Sequence, residues 1–87
     1  MLDVRPGPEY AAAHMPSAVH IPLDELGDRF NERSADREVI AYCRGANCAL
    51  AHDAVRLLTA HGRNARRAID GILEWRVAGV PVETGNG

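Results

Sequence analysis

Glu38–Val55 reads EVIAYCRGANCALAHDAV, and how this stretch divides decides the fold. Glu38 to Tyr42 is a short apolar run containing the β-branched pair Val39 and Ile40, which predicts a buried strand. After Cys48 the residues Leu50, Ala51, Ala54, Val55, Leu57 and Leu58 cover one broad face at helical spacing, and Gly62 is placed to end that helix as its C′ residue. Between strand and helix lies Cys43–Cys48, a six-residue loop of small and polar side chains.

The same alternation recurs on both sides. "MLDV", "SAVHIP" and "ARRAI" are further short apolar runs, each separated from the next by a helical pattern, a rhythm that predicts a parallel α/β sheet with helices on its faces. The class expected is a small three-layer α/β domain with about four or five strands. Between the first two runs "GPEYAAAHM" forms a short helix with Pro8 in its first turn, ended before Pro16. "LDELGDRFNERSA" places Leu23, Leu26 and Phe30 on one stripe, which Gly27 weakens. "GILEWRVAG" is a last short helix with Ile72, Trp75 and Val77 as its anchors. The domain is expected over 1–83. The closing "ETGNG" looks frayed, with 84–87 as a flexible tail.

At 87 residues the chain holds one core, in a size range where folding buries only about 60% of the unfolded surface. No apolar run approaches the length of a membrane span. A net charge of −2 argues against a dedicated nucleic-acid binder, although "HGRNARRAI" is locally basic. "MLDVRPGPEY" has neither a basic n-region nor a continuous apolar h-region. Two cysteines alone do not make a stapled secreted scaffold, so cytoplasmic thiol chemistry is expected.

Cys43 at the end of a parallel strand would stand at the carboxyl edge of the sheet, where open α/β sheets bind ligands. Gly45 permits the backbone conformations of an amide nest. Those amides and the positive end of the following helix favour a thiolate, and Arg44 adds charge. The alternative is that Cys43 is simply a small buried hydrophobe.

Four segments in this order resemble the rhodanese-like (sulfurtransferase) family: "LDVRPGPEY", "AHMPSAVHIPL", "VIAYCRGANCALA" and "IDGILEWRVAGVPVE". The resemblance implies that Cys43 is the sulfur-accepting nucleophile, cycling between thiolate and persulfide. Arg44, Gly45, Ala46, Asn47 and Cys48 would cradle the substrate through backbone amides. It implies a small anionic sulfur donor, thiosulfate or a persulfide, and a thiophilic acceptor such as cyanide or a thiol. No metal or organic cofactor is implied. The six-residue loop matches sulfurtransferases, whereas related phosphatases and arsenate reductases use a loop one residue longer ending in arginine. Ala13, Ser17 and Ile72 stand where the family usually has glycine, and Cys48 where it usually has threonine, serine or arginine. The family also has a further strand and helix before "MLDV", so an uncovered sheet edge and homodimerisation through it are expected. "CRG" followed by Cys48 resembles rhodanese domains appended to arsenic-repressor-type regulators, which opens a second reading: a sulfane-sulfur or redox-sensing module using Cys43 and Cys48.

The remaining polar residues are read mainly as framework. Asp3, Arg5 and Glu9 are expected to pair and tie the first strand to the first helix. His14 is expected to bond backbone near the loop, and His20 to be core-facing or paired. Trp75 is expected to anchor the core or line a pocket, and only one of Arg66 and Arg67 can share a face. A zinc site from Cys43, Cys48 and His52 lacks a fourth ligand and a known spacing. Cys48 stays open between starting the helix and acting as a second thiol that attacks the Cys43 persulfide.

Overall fold

The computed structural model describes residues 1–32, 37–45 and 48–85. Leu2–Asp3 (β1), Val19–His20 (β2), Val39–Tyr42 (β3) and Ala65–Arg67 (β4) form one sheet in the order β2-β1-β3-β4, with every pair parallel. Leu2 lies opposite Val19 on one side and Ala41 on the other, and Val39 lies opposite Ala65. Parallel pairing requires crossover connections. These contain the helices Gly7–Ala12 (α1), Leu23–Arg29 (α2, continued by a 3₁₀ turn at Phe30–Glu32) and Ala49–Ala60 (α3), and Ile72–Val77 (α4) follows β4.

Alternation along β3 sorts the core into two layers. Val39 and Ala41 join Leu2, Val4, Ile21, Leu26, Ala54 and Leu58 beneath α2 and α3, with Leu23, Phe30 and Leu50 packed against them. Tyr42 faces the other way and packs with Met15 and Ile72, against which Trp75 and Val82 close. Burying a leucine such as Leu26 or Leu58, neither of which is exposed at all, contributes about 1.5–3 kcal/mol relative to leaving it in water. α3 stops where the sequence predicts: Gly62 has φ +76°, its N–H reaches Thr59 O at 3.0 Å, and Arg63 N–H reaches Leu58 O at 2.9 Å.

A buried polar network fixes the turn after β1. Asp3, fully buried, accepts from Arg5 N at 3.0 Å, from Arg5 Nη2 at 2.7 Å and from the Tyr42 hydroxyl at 2.6 Å. Arg5 Nη2 also donates to Ala13 O, and Met15 N–H donates to the Tyr42 oxygen at 3.0 Å. Burial, with donation to Asp3, pushes the Tyr42 phenol up. Burial works against the Arg5 charge, but the hydrogen bond and charge of Asp3 outweigh it and hold Arg5 above its ordinary value.

Three expectations are corrected. Val77 is 81% exposed: it follows Ile72 by five residues, about 140° around the helix from it, so α4 is anchored by Ile72 and Trp75. Glu9 does not join Asp3 and Arg5, because its carboxylate is taken by Arg44. The segment from Glu83 is tied rather than frayed as far as it is described: His14 and Glu83 exchange backbone hydrogen bonds of 2.9 Å each way, and Gly85 N–H reaches Ala11 O at 2.8 Å. Asn86 and Gly87 lie outside the described residues.

Candidate active site

Cys43 follows β3 directly, at the carboxyl edge and next to the end of β1. From β1 the chain crosses to β2 on one side, and from β2 it returns to β3 on the other, so β1 and β3 flank the topological switch point where such sheets hold ligands. A cleft of about 380 Å³ opens on this edge, lined by Val4, Pro6, Gly7, Pro22, Leu23 and Leu50 among others.

The loop is held by the far end of the chain. The first N–H groups of a helix have no partner within it. In α4 the N–H of Ile72 bonds Cys43 O at 3.0 Å and that of Leu73 bonds Arg44 O at 2.8 Å. Gly71 makes this approach possible: a Cβ there would stand 2.5 Å from Gly45 Cα and 2.8 Å from the carbonyl carbon of Arg44. Glu74 reaches back to Gly71 N–H at 2.7 Å, the returning half of a capping box. Its carboxylate also lies against Gly45, 3.3 Å from where a Cβ would be. Gly71 and Glu74 were assigned no role by sequence reasoning. The Gly-x-x-Glu spacing at a helix start is the local signal for Glu74, and nothing local marks the contact of Gly71 with Gly45.

Cys43 is 1% exposed and Cys48 is half-buried. They are joined as a disulfide with a Cα separation of 5.9 Å, inside the usual range for such bridges. Cys48 is the N-cap of α3, and its N–H bonds Gly45 O at 3.2 Å, closing the loop. Gly45 is not among the residues with positive φ, so what favours glycine there is the space filled by Glu74 rather than a left-handed backbone. Ala46 and Asn47, expected in the cradle, lie outside the described residues.

Arg44, expected to bring charge to the site, makes a two-pronged pair with Glu9 of α1, Nε to Oε1 at 2.6 Å and Nη2 to Oε2 at 2.7 Å. The hydrogen bond from Arg44 holds the Glu9 carboxyl below its ordinary range, against a smaller opposing effect of burial. His14 sits in the framework: Nδ1 donates to Tyr10 O at 2.8 Å, its ring stacks on Tyr10 at 3.8 Å, and Nε2 faces Glu83 Oε1 at 3.6 Å. His20 also stacks on Tyr10, with ring centroids 4.3 Å apart, and its Nε2 contacts Arg5 O at 2.8 Å. Trp75 donates from Nε1 to Pro81 O at 3.0 Å and lines a cavity of about 240 Å³ with Met15 and Ile40. Arg66 is exposed and pairs with Glu38 at 2.9 Å. His52 is exposed on α3, and both sulfurs of the zinc alternative are committed to each other.

An open parallel sheet with a cysteine-containing loop at its switch point, held by the helix that follows the last strand, defines the class of α/β domain. Residues 1–78 match the rhodanese-like domain family, to which this chain belongs. It is 53% identical over 85 residues to the HTH-type transcriptional regulator Rv0324 of Mycobacterium tuberculosis, covering 98% of this chain and 38% of the regulator. It is 30% identical over 84 residues to a sulfurtransferase of Allochromatium vinosum, covering 94% of this chain and 76% of that protein. The crystal structure of the BH2092 protein from Bacillus halodurans superposes with a TM-score of 0.87 at 31% identity, covering 95% of this chain and 61% of that one. The chain thus spans well under half of the regulator it resembles.

Proposed function

We propose that this domain is a sulfurtransferase that carries sulfane sulfur as a persulfide on Cys43. The Cys43 thiolate attacks the outer sulfur of thiosulfate or of a persulfide donor. The donor's sulfur–sulfur bond breaks, sulfite or a thiolate leaves, and Cys43 holds the transferred sulfur. A thiophilic acceptor, cyanide or a thiol, then takes that sulfur and returns the thiolate. The observation that carries this reading is the position of Cys43 at the switch point, with its own carbonyl and that of Arg44 bound by the N-terminal N–H groups of α4. A loop held this way presents its thiol in a fixed place without spending side chains on it, and preorganisation of this kind is what transition-state stabilisation requires. The reduced protein incubated with thiosulfate should gain the mass of one sulfur or release sulfite in step with it. Cys43→Ser should do neither, and equal labelling of that variant would assign the nucleophile elsewhere.

A second reading, a sulfane-sulfur or redox sensor coupled to a regulator, is supported by the Cys43–Cys48 pair and by the likeness to a transcriptional regulator. Both readings place the domain in the cytoplasm, where thiols are kept reduced. β4 ends the sheet among the described residues, and its outer edge is where a second copy would add a strand; sedimentation at rising concentration measures that dimer.

A further inference from the structure

Cys48 is close enough to Cys43 to bond it, begins a helix twelve residues long, and is more open to solvent than its partner. The start of a helix favours the thiolate of a cysteine placed there. We propose that Cys48 is a resolving thiol: it discharges the Cys43 persulfide as hydrosulfide and leaves the domain closed as the Cys43–Cys48 disulfide. This rests on the reading of Cys43 as the persulfide carrier and adds a second fate for the sulfur that Cys43 holds.

The step balances within the protein. The Cys48 thiol gives up its proton and attacks Sγ of Cys43; the Sγ–Sγ bond forms as the bond from Cys43 Sγ to the outer sulfur breaks. The outer sulfur leaves as hydrosulfide with the electron pair of that bond. The sulfane sulfur is reduced and the two cysteines are oxidised, so no outside oxidant takes part. Return to the starting state needs a thiol reductant, either two small thiols or one dithiol protein. Burial fixes the order of that return. In the disulfide form Cys43 is 1% exposed and Cys48 is half-buried, so Cys48 is the sulfur more open to an incoming thiol. The reductant therefore attacks Cys48 Sγ, Cys43 departs as the thiolate, and a second thiol clears the mixed disulfide from Cys48; access decides which sulfur is attacked in such exchanges. The domain thereby converts one sulfane sulfur into one sulfide and then stays silent until reduced.

The test uses the reduced chain under anaerobic conditions with one equivalent of thiosulfate, followed by intact mass, sulfite and sulfide. The wild-type chain should release sulfite and sulfide in equal amounts and end lighter than the reduced chain by two hydrogens. Cys48→Ser should release sulfite only and keep the mass of one added sulfur. Serine is a favoured N-cap residue, so α3 keeps its start in this variant, and Cys48→Ala serves as a second check. A small monothiol added to the oxidised wild-type chain, quenched early by acid, should be found on the peptide containing Cys48. A wild-type persulfide as long-lived as that of Cys48→Ser would overturn the resolving role and leave the sulfurtransferase reading standing. Failure of Cys48→Ser to take up any sulfur would overturn that reading and this inference together. A mixed disulfide on Cys43 would overturn the order of reduction.

Discussion

Gly71→Ala tests whether the contact between the last helix and the cysteine loop sets the site. At φ −96° and ψ −172° the backbone of Gly71 is open to any residue, so the substitution adds a contact and no torsional strain. The new Cβ would stand 2.5 Å from Gly45 Cα, and carbon atoms settle at about 3.5–4.0 Å. The two segments must therefore part by about 1 Å. The Ile72–Cys43 and Leu73–Arg44 hydrogen bonds, at 3.0 and 2.8 Å, would then stretch past the working range of such bonds. Losing both costs about 2 kcal/mol at about 1 kcal/mol each, and overpacking adds about 1–3 kcal/mol. The sum, about 3–5 kcal/mol, is a large share of the roughly 4–13 kcal/mol that a chain of this length commands at about 0.05–0.15 kcal/mol per residue. Urea unfolding of the reduced protein, followed by circular dichroism, should show the midpoint lowered by about 1 M or more. Sulfur uptake by the fraction still folded should slow as well, because Cys43 loses the bond that fixes its carbonyl. A variant with the wild-type midpoint and the wild-type uptake rate would refute the claim that Gly71 positions the loop.

Other perturbations report on the frame. Asp3→Asn leaves the buried Arg5 guanidinium without its counter-charge, and breaking a buried pair in this way costs about 3–5 kcal/mol; the thermal midpoint should fall steeply and Tyr42 should lose its ionic acceptor. Ser17 carries φ 65°, a left-handed conformation that costs a residue with a Cβ about 1–2 kcal/mol, so Ser17→Gly should raise stability by up to about 1 kcal/mol in the same urea assay. Glu9→Gln removes an exposed pair whose contribution solvent screens to a small one. Because Arg44 lowers the Glu9 carboxyl, that contribution is present above the ordinary carboxylate range and is lost as pH falls through the lowered value. The stability gap between wild type and Glu9→Gln should therefore be seen at neutral pH and close in acid.

What was legible in the sequence follows from what is local. The apolar β-branched run of β3, the broad apolar face of α3 and the glycine that ends it are each written in consecutive residues, so the parallel α/β class and the place of Cys43 could be read directly. Cys48 at the start of α3 was legible for the same reason. Partner choice was not. Glu9 stands near Arg5 in sequence yet pairs with Arg44 across the fold, because Asp3 already fills the Arg5 fork. The pairing of His14 with Glu83 and the contact of Gly71 with Gly45 join segments far apart in the chain. Val77 is apolar yet exposed, because the short α4 can bury only one face.

The hydrogen bonds from Ile72 and Leu73 to the two residues that open the cysteine loop also set an order of events during synthesis. A chain elongating on the ribosome makes Cys43 and the helix after it well before α4 exists. Until α4 emerges, the carbonyls of Cys43 and Arg44 lack these donors. Under the sulfurtransferase reading proposed above, reactivity arrives late, with the closing turn, and a nascent chain that stalls after β4 carries Cys43 without the backbone contacts that hold its loop.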